Sequence, residues 1–131
     1  MTPLMDILIV EDNATFREML RATLQSNFPL ARISTAAEGA AALRRIEEKE
    51  PHIIFMDIRM PGKSGLVLTK EIKQRNKAIV IVVLTNLDSS EYRDAAFANG
   101  ADFFLSKEST GADEISGLVA GIVASRQISH Q

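Results

Sequence analysis

Short runs of apolar residues alternate five times with longer segments in which apolar residues recur every three or four positions. The short runs favour buried β-strands, and the longer segments favour amphipathic helices. Strands are predicted over about residues 5–10, 31–35, 53–56, 79–84 and 102–106. A first helix contains residues 16–24, and further helices are predicted over about 38–49, 66–75, 89–99 and 113–126. The alternation predicts an α/β fold, a single doubly wound (βα)5 domain over residues 1–131 with its core in about 5–126.

The same spacing predicts which side of each helix faces the core. In the first helix that side contains Phe16, Met19, Leu20, Thr23 and Leu24. In the last helix it contains Ile115, Leu118, Val119, Ile122 and Val123. In the three helices between them it contains Gly39, Leu43 and Ile46, then Leu68 and Ile72, then Tyr92, Ala95, Ala96 and Asn99. Gly100 follows at a position where a left-handed C-cap is usual.

The fourth predicted strand, residues 79–84, is unbroken and rich in β-branched residues. This composition suits burial on both faces, so we expect the strand at or near the centre of the sheet. Right-handed crossovers put helices on both faces of such a parallel sheet. Ligands bind outside the carboxyl ends of the strands, where the strand order reverses. Polar residues at strand ends therefore carry more functional weight than polar residues elsewhere.

Four strand ends carry polar groups of complementary chemistry. The pair Glu11-Asp12 follows the first strand, Asp57 the third, Thr85 the fourth and Lys107 the fifth. Each has an ordinary structural interpretation: a loop or helix cap for the acids, a strand residue for the threonine and a solvated surface residue for the lysine. Their coincidence at strand ends instead favours one shared pocket.

Such a pocket has the groups needed to bind a divalent cation and a phosphoryl group. Magnesium is usually held by one or two carboxylates together with phosphate oxygens, and Asp12 and Asp57 can supply the carboxylates. An ionised Asp57 can attack phosphorus without a general base, provided the charge of the incoming group is neutralised. Lys107 and the cation would neutralise that charge, and the Thr85 hydroxyl could donate a hydrogen bond to a phosphoryl oxygen.

Composition excludes several other classes of protein. The chain has 131 residues, 46% of them hydrophobic and 24% charged, and no cysteine. A disulfide framework and a cysteine-ligated metal are therefore excluded. The apolar runs are far shorter than the roughly 20 residues of a membrane span, and the first residues do not resemble a signal peptide, so we expect a cytoplasmic protein without membrane contact. The formal net charge of −2 argues against direct nucleic-acid binding by this chain.

The chain resembles the receiver domains of two-component response regulators over essentially its whole length. The resemblance rests on the acidic pair, the segment from Asp57 through Pro61 to Gly65, Thr85 and Lys107. It implies a flavodoxin-like fold with sheet order 2-1-3-4-5. It also implies a signalling domain rather than an enzyme, with Asp57 as the phosphoacceptor. Self-phosphorylation from small donors and slow autodephosphorylation are expected.

The resemblance also implies the partners and the ion. The phosphoryl donor is expected to be a histidine kinase or a phosphotransfer protein, and the signal is expected to pass to a downstream output domain or protein. Mg²⁺, or Mn²⁺ in its place, is expected to be held by Asp12, Asp57 and the backbone carbonyl of Arg59, with Glu11 acting through water. Arg59 and Leu87 are expected near the water path, where they would tune the phosphate lifetime.

The conformational switch is expected to use Thr85 and Phe104, which lies three positions before Lys107. Most receivers have proline after this lysine, commonly in a cis peptide, whereas here Glu108 follows. A non-proline cis bond costs roughly 3 kcal/mol, so we predict a trans bond. Lysine, an acidic residue and Ser109 in succession are similar to receivers that precede helix-turn-helix domains.

Two forms of the receiver therefore stay open: a stand-alone domain, or the receiver portion of a DNA-binding transcriptional regulator without its output domain. A phosphorylation-dependent homodimer is a further expectation. A flavodoxin-like binding module fits the topology but would not require these charged residues together. A P-loop is excluded because Asp57 stands where its first glycine would be. His52 and His130 are expected to be structural or incidental.

Overall fold

A computed structural model describes residues 5–126 of the chain, in which strands and helices alternate throughout. The strands are β1 (Asp6–Val10), β2 (Arg32–Ala36), β3 (Ile53–Met56), β4 (Val80–Thr85) and β5 (Phe103–Ser106). The helices are α1 (Ala14–Asn27), α2 (Gly39–Glu48), α3 (Gly65–Arg75), α4 (Ser90–Ala98) and α5 (Ala112–Arg126). The predicted α/β architecture is confirmed, and each predicted element boundary lies within one residue of the observed one.

The strands form one parallel sheet in the order β2-β1-β3-β4-β5. The order expected from the resemblance is confirmed, and β3 and β4 lie inside the sheet as their apolar sequences require. Chain order reverses between β1 and β3, which pair with Val10 opposite Met56. The residues that follow these two strands, Glu11 and Asp57, therefore emerge side by side at the same edge.

Two apolar layers cover the two faces of the sheet, because alternate strand residues point to opposite sides. Leu8 and Val10 of β1 face the layer that contains α2, α3 and α4. Ile7 and Ile9 face the layer that contains α1 and α5. The predicted inward side of α5 is confirmed at Ile115, Val119 and Ile122, which are all buried. Each face is thus closed by helices that leave the carboxyl edge accessible.

Two residues predicted to face the core are exposed, so these predictions are wrong. Met19 is 55% exposed, because α1 rests on Leu20 and Leu24 and residue 19 lies to one side of that line. Tyr92 is 38% exposed, because α4 contributes the small Ala96 to the core. An i, i+3 pattern cannot separate the centre of a helix face from its margin, since both satisfy the same spacing.

Two further observations concern the conformation of a glycine and the length of the helices. Gly100 has a φ of 106°, and it follows α4 at the position where a positive φ was predicted. Within residues 5–126, no helix combines the length and the apolar character that crossing a bilayer requires.

Neighbouring residues of α3 offer a matched test of the packing. Leu68 is completely buried, whereas Val67 is 47% exposed. Leu68→Ala should lower the free energy of unfolding by about 3 kcal/mol, because it loses apolar contacts and leaves a cavity. Val67→Ala should change it by less than about 1 kcal/mol. Urea denaturation of both variants measures the difference, and equal losses would contradict the assigned helix face.

Candidate functional site

Backbone hydrogen bonds extend the sheet by one residue at three of the four strand ends and so position the polar residues. The Glu11 amide donates to the Ala36 carbonyl at 2.9 Å, and the Asp57 amide donates to the Val10 carbonyl at 3.1 Å. The Lys107 amide donates to the Thr85 carbonyl at 3.0 Å. Since these bonds continue the parallel ladders, the side chains beyond them start from a rigid edge rather than from loose loops.

The Lys107 ammonium lies between two carboxylates. Its Nζ is 2.8 Å from Glu11 Oε1 and 3.1 Å from Asp57 Oδ2. Glu11 and Asp57 are buried, and only 10% of the lysine side chain is exposed. The prediction that these strand ends form one pocket is therefore confirmed for these three residues, and the interpretation of Lys107 as a solvated surface lysine is wrong.

Burial and neighbouring charges shift the pKa values of Glu11 and Lys107. Burial raises the pKa of Glu11, and the nearby Asp57 charge adds to that effect, although the hydrogen bond from Lys107 opposes it. Burial alone would lower the pKa of Lys107, but the hydrogen bond to Glu11 and the charge of Asp57 outweigh it and raise that pKa. The ammonium form is therefore maintained by the two carboxylates that it joins.

Three carboxylates at this edge form a set of oxygen donors that fits a hard divalent cation. Ligand oxygens of Glu11, Asp12 and Asp57 all lie within 4.8 Å of one another. Among the described residues, the buried Asp57 Oδ1 has no hydrogen-bond partner, which is expensive unless another group neutralises it. Asp12 is exposed and is therefore accessible to a hydrated ion. Oxygen ligands and retained waters are the coordination that Mg²⁺ prefers.

The loop that carries the acidic pair is fixed by the start of α1. Asn13 is the N-cap, and its side-chain oxygen accepts a hydrogen bond from the Phe16 amide at 2.8 Å. The alternative interpretation of Asp12 as this cap is therefore wrong. Glu11 Oε2 accepts from the Asn13 amide at 3.1 Å, and Arg17 Nη1 donates to the Glu11 carbonyl at 2.8 Å. Sequence reasoning missed Asn13 and Arg17, although an asparagine just before a helical pattern is a recognisable cap signal.

A cavity of about 160 Å³ opens beside Asp57 and is lined by Asp57, Arg59, Thr85, Asn86 and Leu87. Thr85 is fully buried, and its Oγ1 accepts a hydrogen bond from the Leu87 amide at 3.1 Å. Both residues expected near the water path, Arg59 and Leu87, line the cavity together with Asp57. Asn86 was missed, because nothing in its sequence context distinguishes it from an ordinary loop residue.

Gly65 entered the predictions only as the last residue of the segment that begins at Asp57, and the structure gives it a role of its own. A Cβ at this position would lie 2.0 Å from the Asp57 carbonyl oxygen, so the first turn of α3 packs directly on the backbone of the Asp57 segment. The Gly65 amide also donates to the Ile58 carbonyl at 2.8 Å. The absence of a side chain is what permits this close approach.

The structure shows where the two phenylalanines of β5 lie and confirms the expected peptide bond after Lys107. Phe104 is half-buried and packs on the layer of α2, α3 and α4, while Phe103 is 36% exposed. No cis peptide bond is present within residues 5–126, so the predicted trans bond between Lys107 and Glu108 is confirmed. Ser106 also donates to Asp88 Oδ2 at 2.7 Å, which ties β5 to the loop after β4.

The two histidines lie away from this edge or outside the described part of the chain. His52 stands just before β3, at the opposite ends of the strands, and its Nδ1 accepts a hydrogen bond from the Asp6 amide at 3.0 Å. That contact agrees with the structural role expected of it. His130 lies outside the described residues.

The close contact at Gly65 leads to a test of stability. Gly65→Ala should lower the free energy of unfolding by about 2 kcal/mol, because the methyl group forces the backbone at Asp57 to move. Gly117→Ala is the matched control, since a Cβ there meets open space on α5, and it should stabilise the helix by about 0.5 to 1 kcal/mol. Urea denaturation and the amide chemical shifts of Asp57 and Ile58 give the result. An unshifted, fully stable Gly65→Ala variant would contradict this contact.

The lysine bridge leads to a test of pH dependence. Lys107→Met should lower the free energy of unfolding by roughly 3 kcal/mol at about pH 7, because Glu11 stays buried without its positive partner. The pKa of Glu11 then rises further, so the folded state binds a proton more readily than the unfolded state does. The loss is therefore full above that pKa and shrinks as the pH falls towards about 5.

Urea denaturation at both pH values measures this change, with the exposed Lys77→Met as control, which should shift stability by less than about 0.5 kcal/mol. In the wild type, the raised pKa of Lys107 means that its contribution is present at neutral pH and is lost as the pH rises through that pKa. A Lys107→Met variant with the same loss at both pH values would rule out Glu11 as the group that titrates.

Comparison with known proteins places this geometry in a family. The family described as the response regulator receiver domain matches residues 7–119. The oxygen regulatory protein NreC of Staphylococcus haemolyticus is 33% identical over 104 residues, which are 79% of this chain and 48% of that protein. The chemotaxis protein CheY of Halobacterium salinarum is 32% identical over 101 residues, which are 77% of this chain and 82% of that protein. The chain thus spans about half the length of NreC and most of the length of CheY.

Solved structures have the same fold. A LuxR-family two-component response regulator from an Aurantimonas species superposes with a TM-score of 0.83 at 29% identity, over 92% of this chain and 85% of that chain. A CheY-like receiver domain protein from Methanospirillum hungatei gives a TM-score of 0.87 at 20% identity, over 95% and 97% of the two chains, and supports the fold alone. A family match across most of the chain, with buried acids and a lysine at the strand ends, shows that this chain belongs to the receiver domains of two-component response regulators.

Proposed function

We propose that this receiver domain, over residues 1–131 with its core in about 5–126, accepts a phosphoryl group on Asp57. The phosphohistidine of a histidine kinase or of a phosphotransfer protein is the donor. The observation that carries the proposal is the position of the Asp57 carboxylate. It is buried at the end of β3, with Oδ2 3.1 Å from the Lys107 ammonium and Oδ1 without a hydrogen-bond partner among the described residues.

Transfer needs no proton acceptor at Asp57. An ionised carboxylate oxygen attacks phosphorus, the bond between phosphorus and the donor imidazole nitrogen breaks, and its electron pair stays on the imidazole. During transfer, the negative charge of the phosphoryl group arrives beside Asp57. The Lys107 ammonium already lies there, and its flexible stem lets it stay close to that charge. The pocket thus supplies position and charge rather than acid-base chemistry.

Asp12, Asp57 and the backbone carbonyl of Arg59 are the proposed ligands of Mg²⁺, or of Mn²⁺ in its place. When bound, the ion neutralises negative charge on the phosphoryl oxygens. Glu11 is assigned to act through water, and its hydrogen bonds support this role. Its Oε1 lies on the Lys107 ammonium and its Oε2 accepts from the Asn13 amide, so each oxygen already has a hydrogen-bond donor, whereas Asp57 Oδ1 has none among the described residues.

Thr85 and Phe104 are the proposed switch. The Thr85 hydroxyl accepts from the Leu87 amide, so its own proton is available to a phosphoryl oxygen on the nearby Asp57. Movement of Thr85 would pull the loop after β4, which is joined to β5 through Asp88 and Ser106. Leu87 and Phe104 pack on the same apolar layer, which is a route from the loop to the aromatic side chain.

Slow hydrolysis of the acyl phosphate would end the signal. Arg59 and Leu87 line the cavity beside Asp57, where they are placed to control how water reaches the phosphorus atom. Autophosphorylation from small acyl phosphates follows from the same chemistry, since the pocket itself contains the groups that stabilise the transferring phosphoryl group.

The cytoplasm is the proposed location of the protein.

A second proposal concerns the output. NreC, of which this chain covers 48%, favours the receiver portion of a longer regulator over a stand-alone receiver, and the succession Lys107-Glu108-Ser109 favours a helix-turn-helix output domain. Phosphorylation-dependent dimerisation would be one route to such an output. The coding sequence downstream of Gln131 decides between the two forms: a helix-turn-helix domain supports the regulator, and a stop codon contradicts it.

Phosphorylation of Asp57 can be tested with the chain alone. Incubation with a small acyl phosphate and Mg²⁺ should add one phosphoryl group, read by intact mass. Asp57→Ala should lose the adduct, whereas Asp94→Ala, which removes an exposed carboxylate on α4, should keep it. Chelation of the metal should abolish the reaction, because the phosphoryl charge is then no longer balanced. An adduct that persists in Asp57→Ala, or no adduct on the wild type, would contradict the assignment.

A further inference from the structure

The Lys107 ammonium has a third neighbour besides the two carboxylates. The centre of the Phe16 ring lies 4.4 Å from Nζ, well inside the range of a cation–π interaction. The ring is itself fixed, because the Phe16 amide donates to the N-cap Asn13 and the side chain packs on the layer of α1 and α5. An aromatic face therefore bounds the lysine site on a side where the sequence predicted only a core residue.

We propose that Phe16 is a positioning residue for Lys107, which holds the ammonium where it can meet a phosphoryl group on Asp57. This inference rests on the proposed function. Lysine is a strongly hydrated charge on a flexible stem, and its competing state has the ammonium turned out into water. The Phe16 ring favours the inward state by attracting the charge and by covering a side chain that is only 10% exposed.

An aromatic ring suits this role better than a third carboxylate or an aliphatic side chain. The negative face of the ring attracts an ammonium without giving it another strong hydrogen bond, so Lys107 can turn towards an arriving phosphoryl oxygen. A leucine at this position would fill the space but would not attract the charge. At a partly buried site the interaction should favour the inward state by about fivefold.

The alternative is that Phe16 contributes to packing alone. Leu20 and Leu24 follow it on the same side of α1, and Phe16 completes that line. Two substitutions separate the roles: Phe16→Leu keeps an apolar side chain without a ring, and Phe16→Tyr keeps the ring. Urea denaturation of both variants checks that they fold.

The first measurement is spectroscopic and needs no phosphate. In the wild type and in Phe16→Tyr, ring current should shift the Lys107 side-chain protons upfield of those of the other lysines. The shift should vanish in Phe16→Leu, and Lys107→Met identifies the resonance by its disappearance. A loss of packing would not produce this pattern, since only the ring generates the shift. Unshifted Lys107 protons in the wild type would overturn the contact.

The second measurement is the rate of phosphorylation by a small acyl phosphate with Mg²⁺. Phe16→Leu should lower the limiting rate by up to about fivefold and leave the half-saturating donor concentration unchanged, because the lysine is needed in the transition state. Phe16→Tyr should restore the rate, and all three proteins should bind Mg²⁺ equally in titrations without donor.

The outcomes distinguish this inference from the function on which it rests. A wild type that is phosphorylated at the same rate as Phe16→Leu would overturn the positioning role. A wild type that takes no phosphate but shows shifted Lys107 protons would contradict the proposed function and support the Phe16 contact. A reduced rate in both Phe16→Leu and Phe16→Tyr would assign the residue to packing.

Discussion

The short bridge from Lys107 to Glu11 and Asp57 is the interaction on which the rest of the site depends. It allows two buried carboxylates to lie side by side at the carboxyl edge of the sheet, where Asp12 adds a third. One ammonium balances only part of this charge, so the pocket keeps an excess of negative charge and an Asp57 oxygen without a partner among the described residues. The lysine stabilises the buried carboxylates in the folded protein, and the remaining negative charge favours the binding of a cation.

The fold supports this cluster from both sides. Parallel pairing of β1 with β3 brings Glu11 and Asp57 to the same level, and the ladder from β4 to β5 does the same for Thr85 and Lys107. The helices then fix the loops: Asn13 begins α1 beside the acidic pair, and Gly65 lets α3 rest on the Asp57 backbone. The rigid edge of the sheet therefore carries the reacting groups, while the proposed movement passes from Thr85, the last residue of β4, into the loop that follows it.

Sequence reasoning found the polar residues that directly follow a predicted apolar strand. Asp57, Glu11, Thr85 and Lys107 follow apolar runs, and parallel strands end at a common edge, so their meeting could be predicted. It missed contributions that depend on how a side chain is oriented in the folded chain. Arg17 donates to the backbone carbonyl of Glu11, and Asn86 lines a cavity. The Phe16 ring on α1 lies against Lys107, which follows the fifth strand. Met19 was misplaced because spacing does not locate the centre of a helix face.

The sequence by itself determined the fold class, the strand ends that bear charge and the family that the chain resembles, because apolar periodicity and local polarity are written along one dimension. Only the tertiary structure decided how the charges pair. Lys107 lies between Glu11 and Asp57 and under the Phe16 ring, and Asn13 rather than Asp12 caps α1. The cap depends on the local backbone at the start of α1. The contacts of Lys107 depend on distances between segments that are far apart in the chain, and packing of helices against the sheet sets those distances.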